Sequence, residues 1–132
     1  MAAHILIIED NEMSLALAEY LLLQSGYTTS SATDGMSGVR LALANEAQLI
    51  LCDLDLPVMD GPQLVSTLRT NDEWRRVPIL AFTAASMGEE QRRTLTSNFD
   101  GCIAKPIDPA SFAATIAQYL PPDLRVTDRA GP

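Results

Sequence analysis

Five short apolar runs punctuate the chain, at His4–Ile8, Tyr27–Ala32, Leu49–Cys52, Ile79–Phe82 and Cys102–Ala104. Three of them are nearly all apolar, which suits strands buried on both faces of a parallel sheet. Between the runs, apolar residues recur with helical spacing. Leu15, Ala18 and Leu22 predict one face of a helix from Met13 to Ser25, and Gly26 follows where a left-handed backbone is wanted. Val39, Ala42 and Leu43 mark a second helix, Gly35 to Asn45, and Leu64, Val65 and Leu68 a third, Gly61 to Arg69. A fourth is expected from Met87 to Ser97. The fifth, Pro109 to Leu120, carries Phe112, Ile116 and Leu120, with Asp108 as its N-cap and Pro109 in the first turn.

Strands and helices in strict alternation imply an α/β domain with helices on both faces of the sheet. Right-handed crossovers leave few topologies. For five parallel strands they favour the flavodoxin-like, doubly wound order 2-1-3-4-5, with five helices. Residues 1–121 read as one domain. Pro121-Pro122 stops the last helix, and 122–132 reads as a short polar tail, too short for a DNA-binding module.

Composition narrows the partners. The 132 residues carry a formal charge of −8. Clustered Lys and Arg hold phosphate backbones, so an acidic chain argues against nucleic acid, and likewise against an anionic membrane surface. No segment approaches the roughly 18–20 apolar residues of a membrane helix. The apolar start Ile5-Leu6-Ile7-Ile8 is too short and lacks the basic flank of a signal peptide. A cytoplasmic location is therefore expected. Cys52 and Cys102 show no metal-ligand spacing and are expected to be small buried hydrophobes. Of nine basic residues, Lys105 is the sole lysine.

In an open α/β sheet, ligands bind outside the carboxyl ends of the strands, where the strand order reverses. The residues predicted there are Glu9-Asp10, Asp53, Thr83 and Lys105. Two unit charges 4 Å apart repel by roughly 4 kcal/mol at an effective dielectric of 20, so clustered carboxylates need a cation. Hard oxygen ligands suit Mg²⁺ or Mn²⁺. Lys105 offers a point charge for a phosphate, and the Thr83 hydroxyl a hydrogen-bond donor. A carboxylate in such a setting can attack phosphorus and form an aspartyl phosphate.

These residues carry a resemblance. Ile7-Ile8-Glu9-Asp10-Asn11, Asp53-Leu54-Asp55-Leu56-Pro57-Val58-Met59-Asp60-Gly61, Thr83-Ala84 and Lys105-Pro106-Ile107 stand in order at the ends of one α/β pattern. The spacings are 43 from Asp10 to Asp53, 30 on to Thr83 and 22 more to Lys105. The sequence resembles, over about residues 4–120, the receiver domains of two-component response regulators, of the single-domain, CheY-like type. The resemblance implies that Asp53 accepts a phosphoryl group from a histidine kinase or histidine phosphotransfer protein. It implies that Asp10 and Asp53 ligate Mg²⁺, with Glu9 acting through water and the main-chain carbonyl of Asp55 as a further ligand. Thr83 and Lys105 would hold phosphoryl oxygens, and Thr83 would move toward the phosphate as part of the switch. The Lys105–Pro106 bond is expected to be cis. The face formed by helix 4, strand 5 and helix 5 would then change its binding of a downstream protein target, and a homodimer would use the same face. No enzyme activity is implied beyond the chain's own phosphorylation and dephosphorylation.

Two positions depart from the family pattern. Cys102 stands where receivers often carry the Tyr or Phe of the switch, which shifts coupling toward Thr83 and the backbone of strand 5 or helix 4. Asn98 replaces a frequent Gly and is structurally neutral as a left-handed cap. Asp55 and Ala85 occupy positions that tend to set acyl-phosphate lifetime. Other residues have plain readings: Asp60-Gly61 as a turn, Trp74 packed over a loop, His4 as solvated, and Arg75-Arg76 and Arg92-Arg93 as solvated faces. Two other function classes fit parts of the pattern. One is a receiver-like binding module that phosphorylation does not regulate. The other is an Asp-nucleophile phosphohydrolase, suggested by Asp53-Leu54-Asp55 after a strand. Met1 and the short tail are what a free-standing regulator would have.

Overall fold

The computed structural model describes residues 3–44, 47–54, 61–70, 77–84, 87–97 and 99–121. The elements alternate as β1 (His4–Ile8), α1 (Glu12–Gln24), β2 (Thr28–Ala32), α2 (Gly35–Ala44), β3 (Leu49–Asp53), α3 (Gly61–Arg69), β4 (Ile79–Ala84), α4 (Glu89–Leu95), β5 (Gly101–Lys105) and α5 (Phe112–Gln118). The strands form one sheet in the order β2-β1-β3-β4-β5, and every pairing is parallel. This is the flavodoxin-like order expected from the alternation. No helix among the described residues is long and apolar enough to cross a membrane.

Strand side chains alternate between the two faces of a sheet, and the core divides accordingly. Ile5, Ile7, Leu49, Leu51, Leu80 and Phe82 pack with Ala18 and Leu22 of α1 and Phe112 and Ile116 of α5. Leu6, Ile8, Ile50, Cys52 and Ile79 pack with Ala42 of α2 and Leu64, Val65 and Leu68 of α3. The central strands are therefore apolar over Ile5–Ile8, Leu49–Cys52 and Ile79–Phe82, because both faces are covered. On α1, Met13, Tyr20 and Leu23 are exposed on the side away from this core.

Local chemistry sets the helix ends. The Asn11 carboxamide accepts the Ser14 N–H at 2.9 Å and starts α1. At the other end Gly26 takes φ 100°. Its N–H bonds to the Leu23 carbonyl and the Tyr27 N–H to that of Leu22, both at 3.0 Å, which is the Schellman closure. Tyr27 thereby belongs to the helix stop, and β2 begins one residue later than the apolar run. Asp34, unnoticed in the pattern, caps α2: its carboxylate accepts the Ser37 N–H at 2.8 Å and the Ser37 hydroxyl at 3.1 Å. Arg69 at the end of α3 bonds the Val77 carbonyl at 2.9 Å and Asp100 at 2.7 Å. Asp100 also accepts the Ile79 N–H at 2.7 Å. This clamp ties α3 to the start of β4.

Four expectations need correction. Helix α4 runs Glu89–Leu95, shorter than Met87–Ser97, with Gly88 as N-cap. Helix α5 begins at Phe112, because Pro109–Ser111 form a turn closed by Asp108, whose carbonyl accepts the Ser111 and Phe112 N–H groups. Cys52 is buried as expected but Cys102 is exposed. Its strand, β5, lies at the sheet edge, where partly buried positions alternate with exposed ones. His4 is half-buried, with its ring nitrogens 2.7 Å from the Thr28 hydroxyl and 2.6 Å from that of Ser30. The Arg92-Arg93 reading holds for Arg93, which pairs with Glu89 at 3.5 Å with both side chains well exposed. Asn98, Asp60, Trp74, Arg75, Arg76 and the tail 122–132 lie outside the described residues.

Two substitutions test this packing. A Cβ at Gly101 would sit 2.6 Å from Tyr119 Cζ, so Gly101→Ala is expected to cost about 1–3 kcal/mol as an overpacked contact, read by urea denaturation. The Ser37 N–H bond, ahead of the other contributions, holds the Asp34 carboxyl below its ordinary value. A depressed carboxyl stabilises the fold above its unfolded pKa and loses that stabilisation as pH falls through the folded one. Asp34→Ala is thus expected to melt lower than wild type at pH 7, with the gap closing on acidification below pH 3.8; a gap independent of pH would contradict the cap.

Candidate functional site

Parallel strands finish at the same edge of the sheet, and the register decides which residues meet there. Ile8 pairs with Cys52, so Glu9 leaves β1 beside Asp53, the last residue of β3. Asp53 pairs with Phe82, Thr83 with Ala104, and Ala84 with Lys105. Glu9, Asp10, Asp53, Thr83 and Lys105 thus come to one rim. The period of two adds a further selection. Asp53 continues the parity of Leu49 and Leu51, and Glu9 that of Ile5 and Ile7, all of which face α1 and α5.

Glu9 is fully buried, at 0% exposure. Its carboxylate accepts the Lys105 ammonium at 2.8 and 3.0 Å and the Asn11 N–H at 3.3 Å. The same ammonium lies 3.4 Å from Asp53 Oδ2. Lysine 105 therefore bridges the two buried carboxylates and keeps 24% of its side chain exposed. Thr83 is buried, and its hydroxyl makes no hydrogen bond among the described residues. Asp10 is exposed beside them. The Lys105–Pro106 peptide bond is cis.

The electrostatics follow from burial. Desolvation pushes the Glu9 carboxyl above its ordinary value; the Lys105 hydrogen bond opposes this and the Asp53 charge adds to it. For Lys105, burial works to lower the ammonium, but the Glu9 hydrogen bond and the Asp53 charge outweigh it and hold it above its ordinary value.

One carboxylate oxygen each from Glu9, Asp10 and Asp53 lie within 4.8 Å of one another. Lys105 pairs with two of the three carboxylates, Glu9 and Asp53, and with all three ionised the cluster carries a formal charge of −2. An all-oxygen, doubly negative set of this span fits a hard divalent cation such as Mg²⁺. Asp55, whose carbonyl is the other expected ligand, and Ala85 lie outside the described residues. Cys102 is not brought into the cluster. What the residue pattern did not reveal is the floor of the site: the Phe82 ring under Lys105, 5.7 Å from Nζ to centroid.

With this geometry in hand, similarity to known proteins places the chain. It belongs to the response regulator receiver domain family, whose profile matches residues 5–117. It is 34% identical over 120 residues to the polar-differentiation response regulator DivK of Brucella anthropi, covering 91% of this chain and 98% of that protein. The DivK of Brucella ovis is 33% identical over the same length and shares. Among solved structures, the receiver domain of the sensor histidine kinase PA1611 from Pseudomonas aeruginosa PAO1 superposes with a TM-score of 0.82 at 30% identity, over 90% of this chain and 98% of that one. That domain was solved with a magnesium ion coordinated in its active-site cleft. The chemotaxis protein CheY4 of Vibrio cholerae shares the fold, with a TM-score of 0.83 at 23% identity over 91% of this chain and all of that one.

Removing the ammonium should expose the cost of the buried carboxylate. Breaking a buried pair costs roughly 3–5 kcal/mol when both partners are enclosed; Lys105 is partly exposed, so Lys105→Met is expected to cost about 2–3 kcal/mol at pH 7 in EDTA. A carboxyl raised above its unfolded value stabilises the fold below that value and loses the stabilisation as pH rises through the folded one. The variant should therefore recover stability on acidification, and adding Glu9→Gln should restore most of the loss at pH 7. An additive double mutant would show that the pair is not coupled.

Proposed function

We propose that this chain is a phosphorylation-dependent signalling switch with Asp53 as the phosphoryl acceptor. The observation that carries the reading is the rim itself: three carboxylates within 4.8 Å, with the ammonium of Lys105 3.4 Å from Asp53. A carboxylate oxygen of Asp53 attacks phosphorus. The bond from phosphorus to the imidazole nitrogen of a phosphohistidine donor breaks, that nitrogen keeps the electron pair, and an acyl phosphate forms on Asp53. Lys105 would exchange its contact with the carboxylates for the new phosphoryl oxygens, and Thr83 would donate its buried hydroxyl to one of them. Asp10 and Asp53, with Glu9 through water and the Asp55 carbonyl, would hold Mg²⁺. The ion supplies charge neutralisation at the oxygens around phosphorus.

The incoming group adds negative charge where the Glu9–Lys105–Asp53 balance is already tight. That change biases a two-state rearrangement, with Thr83 and β5 as the moving parts. The donor is a histidine kinase or a histidine phosphotransfer protein, and the output is a protein target met by the face of α4, β5 and α5. Cys102, exposed on β5, would lie in that face in place of an aromatic switch residue. A homodimer would use the same surface. The setting would be the cytoplasm, and the chemistry would be confined to the chain's own phosphorylation and dephosphorylation.

Incubation with acetyl phosphate and Mg²⁺ is expected to add a base-labile mass of about 80 Da, absent in Asp53→Ala. A wild-type chain that never acquires the adduct from any phosphodonor would overturn the switch in favour of a binding module, and rapid turnover of a phosphomonoester would favour a hydrolase.

A further inference from the structure

Lys105 is restrained from two directions. Glu9 and Asp53 take its ammonium from the carboxylate side. On another side stands the Phe82 ring, its centroid 5.7 Å from Nζ, inside the roughly 6 Å over which a cation is drawn to an aromatic face. The ring is itself fixed. Phe82 is buried and stacks on Phe112, with centroids 6.4 Å apart and planes inclined by 16°. Phe112 is buried too, and it is the first residue of α5. The register explains the encounter. Phe82 pairs with Ile103, and Ile103 packs into the α1–α5 layer with Phe82. Two residues further along β5, Lys105 emerges with the same parity.

We propose that Phe82, backed by Phe112, is a positioning residue for phosphoryl transfer: an aromatic platform that fixes where the Lys105 ammonium stands relative to Asp53. This rests on the reading of Asp53 as the acceptor. Lysine has a flexible four-carbon stem and no preferred direction at its charged end. Carboxylates alone would not hold it in place once the phosphoryl oxygens compete for its three protons. An immobile ring that attracts the cation without offering a rival lone pair keeps it at the right height throughout. Placement errors of about 1 Å at reacting groups can cost on the order of a hundredfold in rate, so such a platform matters to the reaction while touching none of the reacting atoms. Because Phe112 opens α5, the same stack joins the first turn of that helix to the site.

The test uses the full chain and three variants, Phe82→Leu, Phe82→Tyr and Phe112→Leu. Lys105 is the only lysine, so its ε-methylene protons are readily resolved by NMR after selective lysine labelling. In wild type and Phe82→Tyr they should be displaced upfield by the ring current, and phosphorylation by acetyl phosphate with Mg²⁺ should agree within about twofold, since both keep the aromatic face. In Phe82→Leu the displacement should vanish and the phosphorylation rate fall about fivefold, the equivalent of ~1 kcal/mol. Phe112→Leu should fall between, and it serves if Phe82→Leu does not fold. An undisplaced Lys105 signal in wild type, an unchanged rate in Phe82→Leu, or a Phe82→Tyr as slow as Phe82→Leu would overturn the platform. Failure of wild type to accept phosphate would instead defeat the functional reading, while the Lys105 displacement would still decide whether the ring holds the lysine.

Discussion

A carboxylate with no exposure must be given a counter-charge, and at Glu9 that requirement organises the rest. The ammonium of Lys105 meets it at 2.8 Å. It comes from β5, the far edge of the sheet, 96 residues away in sequence. Glu9, just past the end of β1, and Lys105 on β5 are separated by β3 and β4, so the pair forms only when all four strands are in register. The site is in this sense a report on the sheet. A slip of one residue in any of these strands would turn a side chain to the opposite face and leave a buried charge without its partner.

The same constraint makes the cluster responsive. Burial favours a neutral Glu9, the nearby lysine favours a charged one, and Asp53 shares that lysine. One ammonium serves Glu9 and Asp53 while Asp10 stands beside them, a balance that a divalent cation or a phosphoryl group would redistribute. The core beneath is rigid, with Ile7, Leu51 and Phe82 fully enclosed. In the proposed switch, rearrangement would be directed outward, toward the edge strand β5, where partly buried and exposed positions alternate. The stack of Phe82 on Phe112 gives that edge a solid connection to α5.

Much of this is legible in the residues alone. Gly26 marked the end of α1, because a left-handed backbone is local chemistry. The apolar runs of β1, β3 and β4 showed sandwiched strands, and the strand ends showed Glu9, Asp10, Asp53, Thr83 and Lys105 as a group. What escaped notice was non-local. Apolar Cys102-Ile103-Ala104 reads like a buried strand, yet at the edge that the expected strand order assigns to β5 alternate positions face solvent, and Cys102 is exposed. Phe112 fits helical spacing like any core residue, and nothing in the pattern says that it stacks on Phe82. His4 looks like a solvated terminus until β2 is laid beside β1 with Thr28 and Ser30 in reach of its ring.

The alternation of elements, hence the parallel doubly wound sheet, and the kinds of chemistry at its rim follow from the residues read in order. Periodicity, caps and strand ends depend on neighbours in the chain, so they can be read along it. Tertiary structure alone decided which charges pair, with Lys105 bridging Glu9 and Asp53, and which ring lies beneath the lysine. Those outcomes depend on burial and on register between strands that are distant in sequence, and both come into existence only when the sheet closes its ranks.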